Sequence, residues 1–453
     1  MYTAIEAYMD MYQLTGDGKY LAAVDGFHDM FLSHWMHVGG TVAIKEWKLY
    51  PPDSYFLDTW GNTAHLNSPQ CNLDPMKLPD APCPLPINDS APCAVGCTHS
   101  TGETCGQVFW IKLLQRLHQL RPQNESYVAQ MEQTLFNGVV SQIPPVNGSG
   151  IRRSDPRAGR GGNWSKVDGT VVGIRQFAVL HRQKMMLNNI STCCEGQATR
   201  MLGSIPEYIV SYGGSRAESA VVYVDMFADA TASLAPILRE SVSSAALRIR
   251  TSWPYSPNVS LQFISQQAVN TEGNPHATAA PMGLMTVMLR IPSWVTATTV
   301  LVALTSTDAA TSTSNKGGQT EWTGTRGSYL QISRFWAYGD TLSFALPMRL
   351  KVTRYRGLTT IPGHERFAVE FGPILLCAVG GVWDHGIDSM LIRGVVSPER
   401  PETWLRADGS SSMRFRVLGN PEIVFVPYFV VQEEVFEVYP AFEPTYTTRS
   451  DGL

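Results

Sequence analysis

Residues 192–227 read TCCEGQATRMLGSIPEYIVSYGGSRAESAVVYVDMF, and within them the chain changes character. Thr192-x-x-Glu195 is a capping box, in which two side chains satisfy the open N–H groups of a starting helix. Met201, Leu202 and Ile205 carry that helix toward about Tyr212, with Pro206 placed to kink it. From about residue 218 the texture turns β-prone, and residues 221–227 are rich in Val, Tyr and Phe. Helix stands ahead of the change and strand behind it.

The same division holds outward in both directions. Upstream, Ile5, Tyr8, Met9 and Tyr12 share one helix face, Thr15-Gly16-Asp17-Gly18 breaks the pattern, and residues 20–31 resume it. Helix, polar turn, helix is the αα-hairpin from which α/α barrels are built. Trp110, Leu113, Leu114, Leu117 and Leu120 line one face of a later helix. Downstream, residues 285–291, 329–333, 341–346 and 367–371 are short apolar runs between turn residues, and Leu342, Phe344 and Leu346 alternate as in a sandwich strand. Residues 305–327 are polar and rich in Ser and Thr, and read as a loop. The expected fold is multidomain, α then β: a helical region over 1–215 with an insertion at about 51–100, then β domains over 216–352 and 353–453.

Composition narrows the function. The 453 residues carry a net charge of -4 with 44% hydrophobic and 16% charged residues. No basic patch favours nucleic acid, and no apolar run of about 18 residues would span a membrane. Six Asn-x-Ser sequons, at Asn88, Asn124, Asn147, Asn163, Asn189 and Asn258, suit a secreted protein, yet residues 1–14 do not form a signal peptide. An N-terminal truncation that removed the signal reconciles the two, and it also explains why the chain opens in the middle of a helical pattern.

The cysteines carry the chemistry. Cys193 and Cys194 fall in the first turn behind the capping box, where open N–H groups and the positive helix end favour a thiolate. Glu103-Thr104-Cys105 stands just before another apolar helix, so its carboxylate and thiol can reach one ion. Together the four side chains offer one oxygen and three sulfurs, a set that tetrahedral zinc accepts. Adjacent cysteines in a secreted chain also serve as disulfide partners, so a stapled extracellular protein is the competing reading. Cys71, Cys83, Cys93 and Cys97 lie in the insertion and read as one or two disulfides, or as a second zinc site. Cys377, in the apolar run Leu375-Leu376-Cys377-Ala378, reads as a buried core thiol.

Glu103-Thr104-Cys105 followed by Thr192-Cys193-Cys194-Glu195-Gly196-Gln197, with Arg200 behind, resembles glycoside hydrolase family 127, which includes the β-L-arabinofuranosidases. Gly39-Gly40 with Glu46, Ile291-Pro292-Ser293-Trp294, Trp336-x-x-Gly339-Asp340 and Phe371-Gly372-Pro373 extend the resemblance along nearly the whole chain. It implies a partial (α/α)6 barrel lacking its first helices, followed by β-sandwich domains. It also implies a retaining mechanism in which zinc-bound Cys193 is the nucleophile and Glu103, Cys105 and Cys194 complete the zinc site. Glu46 would be the general acid and then the base, although a lone glutamate on such a loop is more often a surface residue. The implied substrate is a glycan ending in L-arabinofuranose or a similar sugar. His181 either lines the pocket or packs in the core. A non-catalytic carbohydrate-binding relative, or the same chemistry on another sugar, are the alternatives.

Overall fold

The computed structural model describes residues 2–34, 36, 38–42, 101–142, 174–176, 186–188, 192–214, 220–238, 244–265, 281–306, 319–355, 361–381, 383–384, 389–409, 413–431 and 436–443. Helices come first and strands follow, in two compact units. One unit comprises residues 1–116, 130–201 and 350–453; the other comprises 117–129 and 202–349.

In the first unit, helices α1 (Tyr2–Thr15) and α2 (Gly18–His34) form the expected hairpin. Gly16 turns the chain at a φ of 69°, where a side chain would be strained, and Asp17 Oδ1 accepts the Lys19 N–H at 3.0 Å to start α2. Ile5 and Met9 of the expected face are buried, while Tyr8 lies at its exposed edge. Helix α3 (Thr104–Leu120) buries Trp110, Leu113, Leu114 and Leu117, and Trp110 stacks on Phe31 of α2 with ring centres 5.4 Å apart. Toward the C-terminus the strands Glu365–Phe371 and Ile374–Val379 pair near the middle of a ten-stranded sheet. Both are buried almost end to end, Ile374–Val379 with apolar side chains throughout and Glu365–Phe371 with Arg366 and Glu370 among its buried residues. Cys377 is fully buried there, among Tyr428, Tyr439 and Phe436, as its sequence setting indicates.

The second unit holds a six-stranded and a four-stranded sheet. Alternation is clear in Thr341–Ala345, where Leu342 and Phe344 are buried between more exposed neighbours. The inner faces of the two sheets meet: Phe263 lies with its ring centre 4.3 Å from that of Trp336. Gly324 sits so close to the facing sheet that a Cβ would fall 2.6 Å from Ile291 Cγ1.

Two details differ from expectation. Helix α4 (Glu125–Thr134) follows α3; the next, α5 (Thr192–Ile209), stops short of Tyr212, and the chain passes directly into the strand Val210–Gly213, with Val210 opposite Val224 and Tyr212 opposite Val222. Pro206 withholds a helical N–H and Val210 is β-branched, so strand pairing wins near the helix end. Residues 319–325 of the expected polar loop form an edge strand, Gln319–Thr325, paired with Thr299–Thr305. Its polar side chains suit an edge, and Trp322 and Gly324 turn inward between exposed neighbours. The stretch 51–100, expected to be an insertion, and with it Cys71, Cys83, Cys93 and Cys97, lies outside the described residues.

Candidate active site

A strand that ends at Glu103 and a strand shortly ahead of Thr192 belong to one small sheet of the first unit. Thr101–Glu103 pairs antiparallel with Ile174–Gln176, which pairs antiparallel with Met186–Asn188, so the outer strands run parallel. Glu103 and Asn188 are both partners of Ile174, which sets them in one row about 10 Å apart, two strand spacings. Each is the last residue of its strand, so both chains leave the sheet at the same end. One enters α3 at Thr104 immediately; the other enters α5 at Thr192, four residues after Asn188.

Cys105 therefore lies in the first turn of α3, and Cys193 and Cys194 lie in the first turn of α5. Both turns offer open backbone N–H groups and a positive dipole end, which favour anions. The side chains of Glu103, Cys105, Cys193 and Cys194 are outside those described, as are residues Glu46 and His181 altogether. Among the described side chains, no group of three or more His, Cys, Asp or Glu is placed to hold a metal. Glu103 thus ends a strand, and the three cysteines fall in the first turns of two helices.

The chain ahead of Glu46 is held by side chains that sequence reading did not single out. Met36 bridges Val42 across a tight loop in which Gly39 and Gly40 have φ of 78° and 75°. Asn137 Nδ2 donates to Gly39 O at 2.8 Å, and Thr134 Oγ1 donates to Gly40 O at 2.6 Å. Gln107, two residues beyond Cys105 on α3, accepts the Val42 N–H at 2.7 Å and donates to Val42 O at 2.6 Å. Asn137, Thr134 and Gln107 are buried, so each bond satisfies a backbone group that water cannot reach. Paired glycines were the only sequence signal of this loop.

A second buried polar group occupies the other unit. Tyr329 donates to Asp225 Oδ1 at 2.6 Å, Ser211 donates to Oδ2 at 2.7 Å, and His118 Nε2 lies 3.2 Å from Oδ1. Beside them Arg290 Nε and Nη2 each lie 2.8 Å from Oε1 of Glu125. Burial, and after it the charge of Asp225, pushes the Tyr329 hydroxyl far above the usual tyrosine range. These residues are scattered in sequence from 118 to 329, and nothing in their spacing announces them. Separately, a cleft of ≈ 610 Å³ is lined by Arg354, His364, Glu365, Glu399, Glu443 and apolar neighbours.

Comparison with known proteins agrees with the helices-then-strands order. Residues 2–206 match the catalytic-domain profile of the β-L-arabinofuranosidase family GH127, and residues 221–348 match its middle-domain profile. A solved protein described as a glycoside hydrolase is 15% identical, with a TM-score of 0.54 over 97% of this chain and 65% of its own. A GH127 β-arabinofuranosidase is 18% identical, with a TM-score of 0.54 over 98% of this chain and 59% of its own. A GH127 β-L-arabinofuranosidase from Geobacillus stearothermophilus T6 is 16% identical, with a TM-score of 0.53 over 97% and 59%. At such identities the likeness is one of fold. This chain spans 59–65% of the length of these proteins. No curated protein matches it. Fold and profiles together define a chain of the glycoside hydrolase class. It belongs to glycoside hydrolase family 127.

Proposed function

We propose that this chain is a retaining exo-glycosidase that releases terminal β-L-arabinofuranose from glycans, with Cys193 as nucleophile and Glu46 as acid and then base. Glu103, Cys105, Cys193 and Cys194 would hold a zinc ion, and His181 would line the sugar pocket. The architecture behind this reading is a partial (α/α)6 barrel over 1–215, with β-sandwich domains over 216–352 and 353–453. The observation that supports it best is the shared row of Glu103 and Asn188, from which both cysteine-bearing helices depart.

The chemistry follows from those side chains. Zinc, when bound, would keep the thiols deprotonated at neutral pH. The Cys193 sulfur attacks the anomeric carbon as the bond to the leaving oxygen breaks, and Glu46 gives that oxygen a proton. Glu46, now a carboxylate, takes a proton from water; the water oxygen attacks the same carbon and the carbon–sulfur bond breaks. Two inversions leave the configuration retained. The first-turn N–H groups of α5 stabilise the sulfur both as attacking anion and as departing anion.

Elemental analysis of the purified protein tests the site, comparing the parent with Cys194→Ser and Glu103→Ala. About one zinc per chain, lost in both variants, is the expected result. Hydrolysis of an aryl β-L-arabinofuranoside, absent in Cys193→Ser, tests the reaction. Zinc with activity only on a different aryl glycoside would keep the chemistry and replace the sugar. Folded parent protein without zinc would overturn the reading.

A further inference from the structure

We infer that the second unit carries two N-glycosylation sites, at Asn124 and Asn258. Each begins an Asn-x-Ser sequon, Asn124-Glu125-Ser126 and Asn258-Val259-Ser260, and the proposed zinc-thiolate chemistry makes no use of either. The other four sequons lie outside the described residues. A glycan is bulky and polar, so a chain that carries one must leave the asparagine at the surface with its amide nitrogen free.

Both asparagines meet that demand, by different local means. Asn124 is exposed and stands immediately ahead of α4. Its Oδ1 accepts the Ser126 N–H at 3.2 Å and the Ser126 hydroxyl at 2.8 Å, so the helix cap is made by the oxygen alone. Asn258 opens the strand Asn258–Ser265, with its backbone paired to Ala345. Side chains alternate along a strand, so buried Val259 faces the core while exposed Asn258 and half-buried Ser260 share the outer face. Among the described residues, neither Nδ2 has a hydrogen-bond partner. Asparagines outside sequons behave otherwise. Asn137 and Asn420 are buried, and each spends its Nδ2 on backbone carbonyls.

The co-substrate is an oligosaccharide carried on a lipid diphosphate. Nδ2 attacks the anomeric carbon, the bond from that carbon to the diphosphate oxygen breaks, and Nδ2 loses one proton. The product amide keeps its Oδ1, so the cap on Ser126 survives the modification.

The experiment secretes the full chain from insect cells behind a leader peptide. N-glycosidase in heavy-oxygen water then converts each glycan-bearing asparagine to a mass-marked aspartate. Peptides spanning residues 124 and 258 should both carry the mark, and the enzyme should release both glycans from the folded protein. Asn124→Asp and Asn258→Asp should each lose one glycan. Asn124→Asp keeps an oxygen for the Ser126 N–H, so it should melt above Asn124→Ala, which loses glycan and cap together. An unmarked asparagine in secreted, folded protein would overturn the assignment at that position. Release only after denaturation would overturn the surface placement, and equal melting of the two Asn124 variants would overturn the division of its amide between cap and glycan.

Discussion

Arg290 and Glu125 face each other inside the second unit, with both Nε and Nη2 of the guanidinium 2.8 Å from one carboxylate oxygen and both side chains buried. The same carboxylate oxygen accepts the Ser293 N–H at 3.2 Å, while Arg290 Nη1 donates to Asp225 O at 3.1 Å. Removing one partner strands a charge where water cannot hydrate it, and such losses run at about 3–5 kcal/mol. Arg290→Met should therefore lower the urea midpoint strongly. Adding Glu125→Gln to that variant should recover part of the loss, because the stranded charge is then gone. A single variant that melts like the parent would show that the pair is solvated.

The tyrosine in the neighbouring cluster supplies a test at high pH. Burial and the Asp225 charge hold Tyr329 protonated well beyond the point at which a tyrosine in the unfolded chain ionises, near pH 10. A group whose folded pKa is raised contributes stability that is complete below its unfolded pKa and declines as pH rises toward the folded one. Unfolding should thus grow easier above about pH 10, by up to about 1.4 kcal/mol per pH unit from this residue. Burial raises Tyr223 and Tyr212 as well, so the parent curve sums several groups. Tyr329→Phe should flatten the alkaline limb of stability measured by denaturant titration. An identical slope in the variant would remove Tyr329 from the account.

Cysteine oxidation separates the zinc-thiolate site from a disulfide framework. Thiol titration in denaturant, without reductant and with a chelator, should find Cys105, Cys193, Cys194 and the buried Cys377 all reactive. Eight oxidised cysteines would defeat the zinc reading outright.

How far the fold could be read in advance depended on the range of the interaction. The hairpin of α1 and α2 was legible because Ile5, Met9 and the Gly16 turn are local signals, and so was the alternation of Leu342 and Phe344. The edge strand Gln319–Thr325 was hidden because its partner, Thr299–Thr305, supplies most of the apolar side chains. Tyr212 was misplaced for a like reason: its strand exists through pairing with Val222. Within the candidate site, the capping box foretold which helix turn holds Cys193 and Cys194. The shared row of Glu103 and Asn188 was out of reach, since it depends on a strand between them that has no motif. Gln107 and Asn137 were invisible too, as each bonds to backbone groups that any residue would present.

Asn137 offers the sharpest stability test in the first unit, because its amide joins three separate segments. Nδ2 donates to Gly39 O and to Pro373 O, each at 2.8 Å, and Oδ1 accepts the Leu375 N–H at 2.9 Å. The residue sits in a π-helical turn, Leu135–Val139, which continues α4 (Glu125–Thr134). Asn137→Ala would leave two carbonyls and one N–H buried without that partner, at about 1–3 kcal/mol for each group that water cannot reach. Asn137→Asp is more informative, since it keeps the shape and the acceptor for Leu375 but turns a carboxylate oxygen toward two carbonyls. That carboxyl is favoured in its protonated, donating form, so its folded pKa must rise above the unfolded value of about 3.9. By linkage the Asp variant should come closest to the parent below that pH and fall behind as pH rises toward 7. A stability difference that does not change between pH 4 and 7 would mean that the Asn137 amide is not what holds the Gly39 and Pro373 segments together.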